Sequence, residues 1–172
     1  MDVINIEFKA RCTDPDKIRG LLTSMDAQFE GTDHQTDTYF TTPQGRLKLR
    51  EGTIETNLIF YYRENVSGPK KSDCILYSPG DSEALKKILE HSKATRTVVR
   101  KEREIWYLGN IKIHIDRLDE LGSFVEIEAK QEGDLSEEDL HGQCQDLLRE
   151  FGITDEDLVA ESYSDMIRMN DL

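Results

Sequence analysis

The sequence predicts an α+β domain built on many antiparallel strands, and three observations support this prediction. Its 172 residues match the usual size of one domain, so we treat 1–172 as a single unit. Most of the chain consists of short segments in which apolar and polar residues alternate, the period of a strand with one buried face. Only a few segments show the helical spacing of apolar residues.

The first half of the chain contains most of the predicted strands. Residues 3–11 alternate strictly and predict the first strand. Pro15 follows a Thr-Asp pair and begins a helix whose apolar residues recur up to Met25. Further strands are predicted at 37–42, 46–51, 57–64 and 74–78, and a helix begins after Asp81 or Ser82.

The second half continues with strands and then turns helical. The predicted strands are 97–102, 104–108, 111–116 and 123–130. Ser136, followed by three acidic residues, begins a helix with an apolar stripe, and Gly152 ends it. The pattern of 158–169 does not decide between helix and strand.

One face of most of these strands carries long charged side chains, and the charges are segregated by sign. The basic groups are Arg46, Lys48 and Arg50, and Lys101 and Arg103, whereas Glu126 and Glu128 form an acidic pair. A solvated outer face would account for charge as such. Segregation favours the alternative, in which the sheet closes with this face inward. Because like charges crowd together there, we expect that replacing Arg50 by alanine preserves or improves stability.

An inward charged face predicts a binding site for a polyanion. Guanidinium groups bind phosphates in bidentate fashion and ammonium groups act as point charges. Carboxylates on the same wall would hold a divalent cation that also contacts phosphate oxygens.

The charged motifs resemble the CYTH family, also called the triphosphate tunnel metalloenzymes, and cover nearly the whole chain in order. The branch that the sequence resembles most is the class IV adenylyl cyclase-like one. The motifs are N-I-E-F-K-A-R at 5–11, D-T-Y-F at 37–40, G-R-L-K-L-R at 45–50, Y-x-R at 61–63, G-P-K-K-S at 68–72, K-x-R at 101–103, I-D at 115–116, G-S-F-V-E-I-E at 122–128 and S-Y-S-D at 162–165.

The resemblance implies a closed antiparallel tunnel of eight strands with helices outside, acting on triphosphates with Mg²⁺ or Mn²⁺. It places the metal ligands at Glu7, Glu126 and Glu128. It places triphosphate contacts at Lys9, Arg11, Lys48, Arg50, Arg63, Lys101 and Arg103, with Lys71 or its neighbour Lys70 as a further contact. The residues to which it gives catalytic roles are Lys9, Arg63 and Asp116.

The first strand departs from the family pattern, which has E-x-E-x-K where this chain has Asn5, Glu7 and Lys9. An amide oxygen can coordinate a cation but contributes no charge. Whether the site holds one metal or two is therefore open.

Three functions remain compatible with the sequence. A cyclase would convert ATP to cyclic AMP and pyrophosphate, and the overall resemblance favours this reading. A triphosphatase would hydrolyse an inorganic, nucleoside or thiamine triphosphate with the same cations. A non-catalytic nucleotide or polyphosphate-binding protein is the third, because Asn5 replaces an acid.

Composition and charge exclude some classes of binding partner. The net charge of −13 argues against nucleic acid and anionic membranes as partners. No apolar run could span a membrane, and three isolated cysteines predict neither disulfides nor a thiolate metal site, so we expect a cytoplasmic protein. A homodimer is compatible with the sequence.

His114 lies on the same face of its predicted strand as Lys112 and Asp116. It could therefore line the tunnel, but a structural role is favoured.

Overall fold

The computed structural model describes residues 2–171, which form nine strands and four helices. The strands are β1 Asp2–Arg11, β2 Gln28–Phe40, β3 Arg46–Glu51, β4 Thr56–Arg63, β5 Lys70–Tyr77, β6 Thr95–Leu108, β7 Ile111–Leu118, β8 Gly122–Lys130 and β9 Leu158–Val159. The helices are α1 Pro15–Ser24, α2 Ser82–Ser92, α3 Glu137–Phe151 and α4 Tyr163–Asn170.

Eight of the strands close into an antiparallel barrel. Their order is β5-β4-β3-β2-β6-β7-β8-β1, and β1 pairs with β5 to complete the ring. The short β9 adds to β1, where Val159 pairs with Lys9. The prediction of a closed eight-stranded barrel with helices outside is therefore confirmed.

The apolar faces of β1, β7 and β8 point outward and are covered by α1 and α3. Ile6 on β1 and Ile127 on β8 are fully buried in the main core, together with Leu140 and Cys144 of α3. Burial of such apolar area is the main favourable contribution to folding. The polar face of the same strands is thereby directed into the barrel.

Local signals fix the ends of α3. Ser136 accepts a hydrogen bond from the backbone N–H of Asp139, whose side chain accepts one from the backbone of Ser136 in return. This capping box satisfies two N–H groups that the first helical turn leaves free. Gly152 ends the helix in the left-handed region, with φ of 66°.

Several strands, among them β2, β5 and β6, are longer than the sequence predicts. β2 begins at Gln28 rather than at residue 37. The sequence did not predict this extension, because the buried positions Asp33 and Gln35 are polar and the apolar alternation is missing there. β6 is one continuous strand from Thr95 rather than two. The undecided segment 158–169 contains both β9 and most of α4.

α4 lies against one end of the barrel and is held there by charged contacts. Asp165 accepts hydrogen bonds from Arg46 at 2.9 Å and from Arg96 at 3.0 Å. Tyr163 reaches the barrel interior, where Lys9 Nζ lies 3.9 Å from the centre of its ring. Within residues 2–171, no helix is long and apolar enough to cross a membrane.

Candidate active site

The interior of the barrel is a charged cavity with about 1020 Å³ of space, its mouth included. Its charged groups come from β1, β3, β4, β6, β7 and β8 and from Glu55 just before β4. β2 adds Tyr39, and β5 adds Ser72, Cys74 and Leu76. The predicted site residues that line the cavity are Glu7, Lys9, Lys48, Arg50, Arg63, Lys101, Arg103, Glu126 and Glu128. The structure therefore brings most of the predicted set together.

One wall is a cluster of three cations gathered on Asp37. The Asp37 carboxylate accepts two hydrogen bonds from Arg50 at 2.9 Å, one from Lys101 at 2.9 Å and one from Lys48 at 3.0 Å. Burial would raise the pKa of Asp37, but the three cations hold it well below its usual range. This single carboxylate fixes the positions of all three cations.

Lys101 has an altered protonation equilibrium in this cluster. Its side chain is 1% exposed. Burial lowers the pKa of Lys101 to about 7, opposed by Asp37 and reinforced by Arg50 and Arg103. The ammonium group therefore gains strongly from any further anion that enters the cavity.

The opposite wall carries carboxylates from adjacent strands. The register of β1 and β8 pairs Glu7 with Glu128 and Lys9 with Glu126. Arg63 donates a hydrogen bond to Glu7 at 2.6 Å. Burial raises the pKa of Glu7, although Arg63 acts against the shift. The two walls leave a cavity with cations on one side and carboxylates on the other.

Arg103 connects these two walls. It donates two hydrogen bonds to Asp116, at 2.7 and 2.6 Å, and one to Glu126 at 2.7 Å. Asp116 also accepts a hydrogen bond from Tyr163 Oη at 2.7 Å. Asp116 is fully buried behind Arg103 and does not line the cavity, so its geometry is that of a group that positions Arg103.

His114 lies beside the acidic pair on β8. Its Nδ1 is 3.6 Å from Glu126 Oε2 and 4.0 Å from Glu128 Oε1. The imidazole is 1% exposed, and neither ring nitrogen has a hydrogen-bond partner among the residues that the structure describes. Burial, with a smaller contribution from Arg103, lowers the pKa of His114. Of the two interpretations of His114, the structure supports a position on the cavity wall.

Two predicted contacts lie outside the cavity. Arg11 is exposed at the end of β1, with its guanidinium carbon 5.3 Å from the centre of the Phe124 ring. Lys71 points to the outer surface and pairs with Glu137 at 2.5 Å. The register of β5 explains the difference, because Lys70 pairs with Glu7 and is buried while Lys71 takes the opposite face. Lys70 is therefore on the inward face of β5, but it does not line the cavity, because its Nζ donates hydrogen bonds to the backbone carbonyls of Val66 and Ala160.

Several residues in the cavity wall or directly behind it were not predicted as site residues. Asp37 lay within a quoted motif but received no role, because its partners are distant in sequence. Glu55 precedes β4 and bonds Lys112, and Lys112 with Arg50 lowers its pKa to about 2 against the effect of burial. Tyr39 and Tyr61, which received no role from the sequence, also line the cavity. Strand parity is the signal that could have placed both tyrosines inward.

One part of the cavity wall is less charged than the rest. Val3, Ile59 and Leu76 line it there, and Asn57 lies two residues before Ile59 on β4. Ile59 pairs with Leu76 across β4 and β5. An apolar wall with a nearby amide suits a planar heterocycle better than it suits a phosphate.

The comparison with protein families follows from this geometry. The model of the CYTH domain matches residues 3–163, nearly the whole chain. The chain belongs to the CYTH family. Its closed barrel with a charged interior is thus the barrel of a CYTH domain.

Individual relatives of this CYTH protein are distant. Adenylate cyclase CyaB of Aeromonas hydrophila is 26% identical over 166 residues, which cover 92% of this chain and 85% of that protein. A candidate adenylate cyclase of Vibrio parahaemolyticus has a TM-score of 0.80 at 20% identity, covering 96% of this chain and 98% of that one. HpAC1 of Hippeastrum is a candidate adenylyl cyclase with a dominant triphosphatase activity. It has a TM-score of 0.65 at 15% identity, covering 98% of this chain and 97% of that one.

Proposed function

We propose that this CYTH protein is a divalent-metal-dependent enzyme that acts on ATP inside the barrel and forms cyclic AMP and pyrophosphate. The observation that carries the proposal is the single cavity in which the Asp37 cluster of cations faces the carboxylates of β1 and β8. Such an arrangement binds a polyanion together with a divalent cation. The similarity to adenylate cyclase CyaB, at 26% identity, supports the choice of reaction.

The cations would hold the triphosphate chain. Arg50, Lys101 and Lys48 already converge on one carboxylate, so their donors are held close together before a ligand arrives. Preorganised donors stabilise developing charge without reorganising during the reaction. Arg63 on β4 and Lys9 on β1 would contact the pyrophosphate as it leaves.

The donor set fits a divalent metal. Glu7, Glu126 and Glu128 lie on paired strands, and carboxylates are the ligands that Mg²⁺ and Mn²⁺ prefer. The buried Oδ1 of Asn5 has no hydrogen-bond partner among the described residues, so it too is free to coordinate. When bound, the metal would neutralise phosphate charge.

The less charged wall would receive the base. With the triphosphate on the cations, Val3, Ile59 and Leu76 would contact the adenine and Asn57 would offer hydrogen bonds to its edge. Cyclisation needs the ribose 3′ oxygen in line with the leaving pyrophosphate. Binding the nucleotide at both ends would fix that alignment.

Asp116 acts in this proposal by holding Arg103. Its two hydrogen bonds keep the guanidinium directed at Glu126, and Tyr163 supports it from α4. We therefore propose a positioning role for Asp116 and direct contacts with substrate for Lys9 and Arg63.

Product analysis tests the proposal. The full chain is incubated with ATP and Mn²⁺, and the products are separated and followed by ³¹P NMR. We expect cyclic AMP and pyrophosphate in equal amounts, with loss of both in Arg103→Ala but not in the surface control Arg117→Ala. ADP and orthophosphate, or cleavage of inorganic triphosphate alone, would indicate the triphosphatase. Binding of ATP with no product, in the presence of Mn²⁺ and again with Mg²⁺, would indicate the non-catalytic protein.

A further inference from the structure

We propose that His114 is a direct ligand of the divalent cation in the barrel, through Nδ1, together with Glu126 and Glu128. The site would then have one nitrogen and two carboxylate ligands, and it would favour transition-metal ions over Mg²⁺. This inference relies on the proposed function only for the presence of a metal in the cavity.

The first reason is that the imidazole of His114 is buried without a hydrogen-bond partner. Interior polar groups are almost always hydrogen-bonded, because a buried group without a partner loses its hydrogen bonds to water and gains none in the protein. His114 is 1% exposed and both its ring nitrogens lack a hydrogen bond within residues 2–171. A bound cation would satisfy Nδ1.

The second reason is the spacing of the three side chains. Two ligands that are each about 2.1 Å from one ion stand roughly 3.0 to 4.2 Å apart, depending on the angle between them. Nδ1 of His114 is 3.6 Å from Glu126 and 4.0 Å from Glu128. These separations are too long for hydrogen bonds and lie in the range for ligands of a shared ion. All three ligand atoms lie within 4.8 Å of one another.

The third reason is the way the barrel holds the three residues. β7 and β8 are adjacent, and their register pairs His114 directly with Glu126. Glu128 lies two residues further along the same inward face of β8. Three donors on the rigid wall of a closed sheet need little rearrangement to bind an ion.

The choice of metal follows from the nitrogen ligand. Mg²⁺ prefers oxygen ligands, whereas imidazole suits later transition metals such as Co²⁺, Ni²⁺ and Zn²⁺. Exchange of His114 for glutamine removes the imidazole nitrogen donor. The substitution should therefore weaken Co²⁺ much more than Mg²⁺.

The first measurement is spectroscopic and uses the full wild-type chain with one equivalent of Mn²⁺ and no substrate. Electron spin echo modulation detects ¹⁴N of an imidazole bonded to Mn²⁺. We expect this modulation in the wild type and in the control His34→Gln, whose side chain is 63% exposed, and its loss in His114→Gln. Bound Mn²⁺ without nitrogen modulation in the wild type would overturn the proposal, even if His114→Gln failed to fold.

The second measurement is calorimetric titration of Co²⁺ and of Mg²⁺ into the same proteins. His114→Gln should lower Co²⁺ affinity at least tenfold and change Mg²⁺ affinity less than threefold. Equal losses for both ions would contradict a nitrogen ligand. Because neither measurement uses ATP, an inactive protein that passes both would refute the proposed reaction and leave this inference standing.

Discussion

Asp37 decides how the cations of the cavity are arranged, and its effect on stability was not foreseen. From the crowding of like charges, the sequence suggested that removing Arg50 would preserve or improve stability. In the structure Arg50 makes two hydrogen bonds to Asp37, so its removal takes away a buried partner as well as a repulsive charge. Breaking a buried ion pair is generally unfavourable.

Arg50→Ala should therefore weaken both binding and stability. A charge-assisted hydrogen bond contributes about 1.5–3 kcal/mol, so triphosphate affinity should fall about ten- to a hundredfold. The free energy of unfolding should fall by about 1–3 kcal/mol, since Lys48 and Lys101 still donate hydrogen bonds to Asp37. Calorimetric titration with inorganic triphosphate and urea unfolding measure the two effects, with exposed Arg117→Ala as control. A stability equal to that of the wild type would restore the expectation from sequence.

Asn5→Glu should tighten metal binding. Asn5 is 5% exposed and lines the cavity on the same face of β1 as Glu7. Metal affinity rises with the number of charged ligands, so Mn²⁺ should bind the substrate-free protein roughly tenfold more tightly, about 1.4 kcal/mol. Triphosphate affinity without metal should fall, because a new anion would face the phosphates. Calorimetric titration of Mn²⁺ decides the matter, and equal affinities would mean that Asn5 does not contact the metal.

At the scale of the elements, α4 is the part whose role depends most on the barrel. Its sequence gave no clear choice between helix and strand, because only Tyr163 and Ser164 among its residues are buried. The contacts that hold it come from Arg46 on β3, Arg96 on β6 and Asp116 on β7. α4 is thus anchored to three strands of the barrel at once.

Tyr163→Phe tests this anchoring. The substitution removes a 2.7 Å hydrogen bond to the Asp116 carboxylate and keeps the aromatic ring. The free energy of unfolding should fall by about 1.5–3 kcal/mol, the usual contribution of a hydrogen bond to a charged group. Urea unfolding measures it, with Tyr62→Phe on the exposed face of β4 as the matched control. If the two variants were equally stable, the hydroxyl of Tyr163 would have no part in holding α4.

At the scale of the whole molecule, burial inside the barrel favours the neutral form of several lysines. The pKa of Lys101 is lowered to about 7 by burial, with Asp37 opposing and Arg50, Arg103 and Lys48 adding to the shift. Tyr163 of α4 faces it as well, with Lys101 Nζ 5.9 Å from the ring centre. Burial also lowers the pKa values of Lys9 and Lys70 to about 8.

Binding of triphosphate should therefore take up protons. At pH 8 most Lys101 side chains are neutral in the free protein, and a bound anion favours the charged form and raises the pKa. Titration calorimetry at pH 8 in buffers of different ionisation enthalpy should show net uptake, which falls towards zero below pH 6. Lys101→Arg keeps the charge at every pH and should show less uptake than the wild type. Equal uptake in both proteins would assign the protons to Lys9 and Lys70.

Sequence alone determined the alternation that makes a barrel wall and the chemistry of its inner face. Strands such as 46–51 could be assigned to the residue, because apolar and basic residues alternate without interruption. The segregation of basic from acidic strands already indicated a closed interior. These features are local, so a period of two in the sequence is enough to specify them.

The tertiary structure decided which charges meet. Asp37 with Lys101 and His114 with Glu128 are pairs from different strands, and the register and the closure of β1 on β5 determine them. The same closure separates Lys70 from Lys71 and places Arg11 outside the cavity, although sequence assigned no difference between them. Alternation specifies two faces, but a side chain's partner across the barrel depends on how strands distant in sequence align.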